Sequence, residues 1–206
     1  MSTFPAAFFR RTDESSDADF YRPDRLLTHI DDRAIAAVGA LYTQLDLTGR
    51  VLDVMSSWIS HFVNPPLELV VLGMNERELN ANAMASSRVV HDLNMDPTLP
   101  FDDGRFDAIT CCVSVDYLVN PLAVFAEAHR VLVSGGLFVC TFSNRCFPTK
   151  AIHGWLAANE LGRCEIVAEY FRQSGTWSNP TMALCTPKGT LGDPLYAVWA
   201  AKSASD

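Results

Sequence analysis

The phrases VVHDLN (residues 89–94), LPFDDGRFDAITCCVSVDYL (residues 99–118) and RVLVSGGLFVCTFSN (residues 130–144) decide the fold of this chain. Each phrase joins a short apolar run to acidic, amide or hydroxyl side chains that follow it. Such runs are typical of parallel strands that are buried on both faces of a sheet. Open α/β sheets bind small molecules in the crevice beyond the carboxyl ends of their strands, so these polar side chains are candidates for ligand contact.

Strands and helices alternate on both sides of these phrases. Apolar residues recur at helical spacing over 33–45, and Asn75 is suited to capping a helix that starts at Glu76. Pro121 opens another helix, because proline at the first helical position gives up no needed hydrogen bond. A further helix is expected over 149–159.

The remaining short apolar segments predict seven strands, over residues 51–55, 67–72, 88–91, 106–113, 137–142, 164–171 and 195–201. We expect an irregular segment over 174–193, which contains Trp177, to cover the ligand crevice. The alternation predicts one α/β domain over residues 26–206, preceded by a polar, partly ordered lead-in over residues 1–25. Its fold class is a doubly wound, mostly parallel seven-stranded sheet with an antiparallel C-terminal hairpin.

Composition argues against several functional classes. The net charge of −8 argues against nonspecific nucleic-acid binding, which needs a basic face. No apolar run reaches the roughly 20 residues that cross a bilayer, and the N-terminal arginines follow the first apolar stretch, which is the wrong order for a secretory signal. The six cysteines form no Cys-x-x-Cys pair, so reduced thiols, a cytoplasmic location and no metal site are expected.

The three phrases resemble those of class I S-adenosylmethionine-dependent methyltransferases, and most closely the small type 11 branch. Members of that family carry an acid at the end of the third strand, a phrase LPF-x-DG-x-FD before the fourth, and RVL-x-x-GG before the fifth. Here Asp92, residues 99–107 and residues 130–136 match, within a likeness that extends from about 47 to 142. Ser-Ser-Trp at 56–58 resembles the first loop of one subgroup of the family. The resemblance implies a Rossmann-like fold and S-adenosylmethionine as cofactor.

Candidate adenine contacts come from this resemblance. It implies that Asp92 accepts a hydrogen bond from the adenine amino group and that the backbone at Leu93 contacts the ring, with Asn94 beside them. A carboxylate suits an exocyclic amine because it only accepts hydrogen bonds. The alternative is that Asp92 merely caps a turn with Asn94.

The first loop departs from the family pattern. Members follow Val-Leu-Asp with a G-x-G-x-G loop, whereas no glycine follows Asp53 before residue 62. A residue with a Cβ pays roughly 1–2 kcal/mol for a left-handed conformation, so we expect a loop of different shape. In one interpretation Ser56 and Ser57 cap a following helix and hold the carboxylate of the cofactor there, and Asp53 is a further cofactor contact. In the other, the site has been lost and Trp58 fills it.

The second strand departs as well. Asn75 stands near where the family has an acid that binds both ribose hydroxyls, and this exchange should weaken binding by about 1 kcal/mol. Met74 is suited either to the adenine face or to the core. Ser114, after the fourth strand, is expected near the methyl-bearing sulfur of the cofactor.

Acceptor contacts are predicted from neighbouring positions. Asp116, Tyr117 and His61 are candidates for a general base, and Arg145, with Lys150 nearby, is a candidate for binding a carboxylate or phosphate of the acceptor. Each of these residues also has a purely structural interpretation, such as a surface arginine paired with an acid.

Two functions remain open from the sequence. The first is methyl transfer from S-adenosylmethionine to a small-molecule acceptor, which fits the acidic chain better than a nucleic-acid acceptor. The alternative is an inactive methyltransferase-like module that binds a nucleoside or a protein partner, which the missing glycines would favour. A nicotinamide-dependent oxidoreductase is disfavoured because its G-x-G-x-x-G turn is absent.

Overall fold

A computed structural model describes residues 4–5, 7–189 and 191–204. Within these residues seven strands form one sheet: β1 Arg50–Val54, β2 Glu68–Gly73, β3 Ser87–Val90, β4 Phe106–Cys112, β5 Leu132–Phe142, β6 Thr181–Leu184 and β7 Tyr196–Ala201. Six α-helices accompany them: α1 Asp17–Tyr21, α2 Asp32–Gln44, α3 Glu76–Ala81, α4 Pro121–Val131, α5 His153–Ala157 and α6 Glu160–Ser174.

The strand order is β3-β2-β1-β4-β5-β7-β6. Strands β1 to β5 pair in parallel, whereas β7 runs antiparallel to both β5 and β6. The predicted fold class, a mostly parallel sheet with an antiparallel C-terminal hairpin, is therefore confirmed. Because the order reverses between β1 and β4, the carboxyl ends of these two strands border the crevice where such sheets bind ligands.

Apolar side chains cover both faces of the sheet. Val51 and Leu52 are adjacent in β1, fully buried, and belong to two different apolar clusters. The cluster of Val51 includes Val38 of α2, and the cluster of Leu52 includes Phe125 of α4 and Phe171 of α6. Burial on both faces explains why the central strands are apolar without alternation.

The C-terminal third differs from the prediction. Residues 164–171 were expected to form a strand but lie in α6, where Cys164, Val167, Ala168 and Phe171 are buried. Their i, i+3, i+4, i+7 spacing is that of a helix face, and it outweighs the β-branched character of the segment. The outer strand of the hairpin is β6, inside the segment that was expected to be irregular.

Other element boundaries also changed. The helix expected over 149–159 is the short α5, and β5 begins at Leu132, before the glycine pair that was expected to precede it. Trp177 packs against the rings of Phe171 and His129, with centroids 5.0 Å away in both cases. Trp177 therefore closes the core beside α6 and does not line the ligand crevice.

Residues 8–30, here called the strap, cross the carboxyl-terminal edge of the sheet. The main-chain carbonyls of Phe8 and Arg10 accept hydrogen bonds from Gly154 and His153, at 2.9 and 2.7 Å. At the other end, Nδ2 of Asn75 donates to the carbonyl of Tyr21 at 3.1 Å. Although a partly ordered lead-in was expected, the strap is joined to α5 at one end and to Asn75, just after β2, at the other.

A buried ionic cluster anchors the middle of the strap. Lys150 is fully buried, and its Nζ lies 3.1 Å from Asp17 Oδ1 and 3.2 Å from Asp13 Oδ2. Arg11 donates to both carboxylate oxygens of Asp17 at 2.8 Å, and Asn94 Nδ2 donates to its Oδ2, also at 2.8 Å. Lys150 therefore anchors the strap through Asp13 and Asp17. The basic group with Arg145 that the sequence suggested is not formed.

Candidate cofactor and acceptor site

A cavity of about 300 Å³ lies at the carboxyl ends of β1, β2 and β4 beneath the strap. This volume is at the lower end of the range of roughly 300–1,000 Å³ that is typical of small-molecule sites. Its lining includes all the predicted cofactor residues: Asp53, Ser56, Ser57, Met74, Asn75, Asp92, Leu93, Asn94 and Ser114. Of the predicted acceptor residues, His61, Tyr117 and Arg145 line the cavity, and Asp116 does not.

Asp53 organises the loop that follows β1. Its Oδ2 accepts hydrogen bonds from Ser56 and Ser60, and its Oδ1 accepts one from Thr110, each at 2.7 Å. Burial raises the pKa of Asp53, and the three hydroxyl donors oppose that shift. The carboxylate is thus used to hold the loop.

The backbone of this loop adopts a left-handed, glycine-like conformation at a residue that is not glycine. Met55 has φ = 53°, in the left-handed region, at a cost of about 1–2 kcal/mol. The argument that a residue with a Cβ would avoid a left-handed conformation in this loop therefore fails at Met55. The loop also passes very close to β2: the main-chain N–H of Ser56 donates to the carbonyl of Leu72 at 2.8 Å. A Cβ placed on Gly73 would lie 2.2 Å from the carbonyl oxygen of Ser56, so this approach requires glycine in β2.

The two serines do not cap a helix. No helix lies between Met55 and β2, and all residues of this segment are described. Ser56 donates its hydroxyl to Asp53, and Ser57 donates its hydroxyl to Glu78 Oε2 at 2.5 Å. Each hydroxyl is therefore committed to shaping the loop, and the prediction that they cap a helix is wrong.

Trp58 forms part of the cavity wall. It is half-buried, and its Nε1 donates to the carbonyl of Leu27 in the strap at 3.1 Å. The cavity remains open beside the indole ring. The alternative in which Trp58 fills the site therefore does not describe this structure.

Asp92 has one carboxylate oxygen available for a ligand. Its Oδ1 accepts from the main-chain N–H groups of Asn94 and Met95, at 2.9 and 3.2 Å, which is the turn-capping role considered from the sequence. No described residue donates to its Oδ2. The side chain of Asn94 is fully used, because it donates to Asp17 and Tyr117 and accepts from Val119.

Asn75 is also occupied by protein contacts. Its Oδ1 caps α3 by accepting from the N–H groups of Arg77 and Glu78, at 3.0 and 3.1 Å. Its Nδ2 donates to the strap, including Asp24 Oδ1 at 3.1 Å. Asn75 thus lines the cavity with an amide whose hydrogen-bonding capacity is spent, while the neighbouring Met74 is half-buried in the wall.

Glu78 is a cavity carboxylate that the sequence reasoning missed. It is only 8% exposed and accepts from Ser57 Oγ and from the main-chain N–H of Arg25, at 2.5 and 2.6 Å. The signal that could have identified it is its position three residues after the Asn75 cap, which resembles a capping box. Glu78 joins the first loop to the strap.

The acceptor candidates differ in their chemistry. Burial raises the pKa of Tyr117 well above its ordinary value, and its Oη accepts from the N–H of Phe147 at 2.8 Å, so the phenol keeps its proton. Burial raises the pKa of Asp116 to about 7, and this carboxyl group lies outside the cavity. The position of Asp116 therefore does not support its predicted contact with an acceptor, because its carboxyl group is buried in the core and does not line the cavity.

His61 and Arg145 keep free polar atoms. Burial lowers the pKa of His61, so its imidazole is neutral at pH 7, and its buried Nδ1 has no partner among the described residues. Arg145 donates from Nε to Asp193 Oδ1 at 2.8 Å, and its side chain is 66% exposed at the cavity mouth. No described residue bonds to the two Nη atoms of Arg145.

Other site classes find no support in the described part of the chain. No group of three or more His, Cys, Asp or Glu side chains there could hold a metal ion, and the six cysteines are unbridged. None of the helices in these ranges has the length and apolar content needed to cross a membrane.

Comparison with known proteins agrees with this geometry. The family model described as a methyltransferase domain matches residues 32–140, just over half of the chain. The uncharacterized methyltransferase YbaJ of Bacillus subtilis (strain 168) is 33% identical over 82 residues, covering 37% of this chain and 32% of that protein. The ubiquinone/menaquinone biosynthesis C-methyltransferase UbiE of Geobacter sp. (strain M21) is 27% identical over 138 residues, covering 61% of this chain and 59% of that protein.

The chain thus spans between about a third and three fifths of these curated relatives. Among solved structures, the S-adenosylmethionine-dependent methyltransferase of Thermotoga maritima superposes with a TM-score of 0.60 at 14% identity, covering 83% of this chain and 88% of that one. At this identity the likeness shows the fold alone. Together with the family match, it shows that the chain belongs to the methyltransferase domain family, the class I group that uses S-adenosylmethionine as its cofactor.

Proposed function

We propose that this protein transfers a methyl group from S-adenosylmethionine to a small-molecule acceptor inside the cavity beneath the strap. The observation that carries the proposal is an open cavity at the strand ends into which Asp92 brings a carboxylate oxygen without a protein donor. A free acceptor at this position suits the adenine amino group. The left-handed Met55 and the glycine in β2 also let the first loop approach β2 closely in the wall of the cavity.

The residues fit the cofactor in distinct roles. Asp92 would accept from the adenine amino group, with Leu93 and Met74 as apolar neighbours of the ring. The main chain at Ser56 and Ser57, held by Asp53 and Glu78, would contact the amino-acid end of the cofactor, near Ser114. The bound cofactor supplies an activated methyl group on its sulfonium, so the protein mainly aligns the acceptor and excludes water.

A small acceptor is supported by the size and closure of the site. The cavity has about 300 Å³, and strap residues from Asp17 to Ile30 form part of its wall. The neutral imidazole of His61 would take a proton from an acceptor hydroxyl, amine or thiol. Tyr117 and Arg145 would position the acceptor through the phenol and the free Nη groups.

Isothermal titration calorimetry with S-adenosylmethionine and S-adenosylhomocysteine tests the cofactor half of this proposal. We expect micromolar binding to the wild type and a loss of roughly 10- to 100-fold in Asp92→Ala, since hydrogen bonds to charged groups contribute about 1.5–3 kcal/mol. Asp96→Ala is the matched control, because Asp96 is exposed and outside the cavity. Absence of binding to the wild type at millimolar ligand would favour the inactive module.

A further inference from the structure

The guanidinium of Arg25 lies in the cavity wall among aromatic rings. Its Cζ is 4.7 Å from the ring centroid of Phe20, 5.6 Å from that of Phe147 and 5.8 Å from that of Tyr21. Tyr21, Arg25 and Phe147 all line the cavity. Ring faces attract a guanidinium but leave its full charge in place.

Backbone carbonyls fix the orientation of this guanidinium. Its Nη2 donates to the carbonyl of Phe20 at 2.7 Å, and its Nη1 donates to the carbonyl of Pro23 at 3.2 Å. The main-chain N–H of Arg25 is held by Glu78 at 2.6 Å. The guanidinium is thereby oriented by neutral groups before any ligand binds.

Arg25 has no carboxylate partner within the described ranges, although the chain carries a net charge of −8. Eight other arginines do have one: Arg11, Arg22, Arg50, Arg77, Arg105, Arg130, Arg145 and Arg172. The cavity lining contains two arginines, and the other, Arg145, is paired with Asp193. Of these two arginines, Arg25 is therefore the one whose guanidinium has no carboxylate within ion-pair distance among the described residues.

We propose that Arg25 binds a carboxylate of a ligand in this cavity. The inference rests on the proposed function and adds a residue and a ligand chemistry to it. A guanidinium matches a carboxylate with paired hydrogen bonds, and the apolar surroundings of the rings strengthen the attraction because they screen it weakly. Two sources offer this chemistry: the amino-acid part of the cofactor, and an acidic acceptor.

Calorimetry on the full chain separates the two sources. Wild type and Arg25→Gln are titrated with S-adenosylhomocysteine and with 5′-methylthioadenosine, which lacks the carboxylate. If the carboxylate belongs to the cofactor, the variant binds S-adenosylhomocysteine roughly 10- to 100-fold more weakly and methylthioadenosine unchanged. Arg33→Gln is the control, because Arg33 is exposed, outside the cavity and without a carboxylate partner in the described part of the chain.

If S-adenosylhomocysteine binds both proteins equally, the loaded proteins are titrated with benzoate and with benzyl alcohol, a neutral molecule of similar size. A preference of the wild type for benzoate that Arg25→Gln abolishes assigns the carboxylate to the acceptor. Equal behaviour of wild type and variant with every ligand overturns the proposal. A wild type that binds neither nucleoside refutes the proposed function itself, which is a different outcome.

Arg25→Lys separates the loss of a carboxylate contact from a general folding defect. If Arg25→Gln also fails to bind methylthioadenosine, Arg25→Lys is titrated with the same ligands. Lysine keeps the charge and much of the stem but lacks the planar fork. Weaker binding of S-adenosylhomocysteine or benzoate, with methylthioadenosine retained, supports the proposal. Wild-type affinity for all three ligands contradicts it.

Discussion

Replacement of Lys150 by Met tests whether the strap is held by its buried ionic cluster. Met keeps much of the apolar stem and removes an ammonium that is fully buried. The substitution leaves Asp17, whose side chain is 4% exposed, without one of its cations, and it frees the carbonyl of Ser15, which accepts from Nζ at 2.7 Å. Removing one partner of a buried ion pair costs about 3–5 kcal/mol.

We expect a cost near the lower end, about 3 kcal/mol in the free energy of unfolding, because Arg11 still donates to both oxygens of Asp17. Urea unfolding monitored by circular dichroism measures the change. Arg172→Gln is the control, since its ion pairs in α6 are solvent-exposed and such pairs contribute about 0–1 kcal/mol. A cost for Lys150→Met no larger than that of the control would refute the reasoning.

The pH dependence provides an independent check on the same cluster. Burial alone would raise the pKa of Asp17, but hydrogen bonds from Arg11, Asn94 and Lys150 outweigh it and lower the pKa below 3.8. A lowered pKa gives stability that is present above pH 3.8 and is lost as the pH falls through the lower value of the folded state. Unfolding curves below pH 4 should therefore show a smaller acid-induced loss in Lys150→Met than in the wild type.

Three further predictions concern the site and its surroundings. Gly73→Ala should destabilise the protein by about 1–3 kcal/mol and weaken S-adenosylhomocysteine binding, because a Cβ there would lie 2.2 Å from the carbonyl oxygen of Ser56. Thermal melts measure the stability, and calorimetry measures the binding. His61 should titrate below pH 6.5 in an NMR titration assigned with His61→Gln, so that a function as base would be lost only in more acidic solution. Because the pKa of Asp116 is raised from 3.8 to about 7, wild-type stability should fall between these values as the pH rises, and Asp116→Asn should raise stability more at pH 8 than at pH 5.

Local patterns were sufficient to predict the first five strands of the sheet. Each of them is a short apolar run between turn residues, and its boundaries were placed to within a few residues, except that β5 begins five residues earlier than expected. The prediction failed at α6, where IVAEYF resembles a strand locally and only the wider spacing of Cys164, Val167 and Phe171 shows a helix. The outer strand β6 is half-exposed and only four residues long, so it offered little apolar pattern to detect.

The position of the site was predictable, whereas the use of its side chains was not. Every predicted cofactor residue lines the cavity because strand ends of a parallel sheet meet at one edge. However, the side-chain amides of Asn75 and Asn94 donate hydrogen bonds to residues of the strap. These strap residues lie 51 to 77 positions away in the sequence. No local pattern encodes a hydrogen bond between segments so far apart. The sequence therefore predicted the helix cap by Asn75 but not the contacts of either side chain with the strap.

Long-range contacts of the same kind explain how the first loop keeps its conformation without the glycines that are typical of the family. Ser57 is joined through Glu78 to the backbone of Arg25, and Trp58 donates to Leu27, so the strap holds the loop from outside. Asp53 holds it from inside through the hydroxyls of Ser56 and Ser60, and Thr110 of β4 fixes the other carboxylate oxygen. A glycine-rich loop avoids backbone strain at each position, whereas here tertiary contacts maintain a strained Met55. Strap and loop therefore form one unit, and a change in either should alter both the stability of the fold and the shape of the cavity.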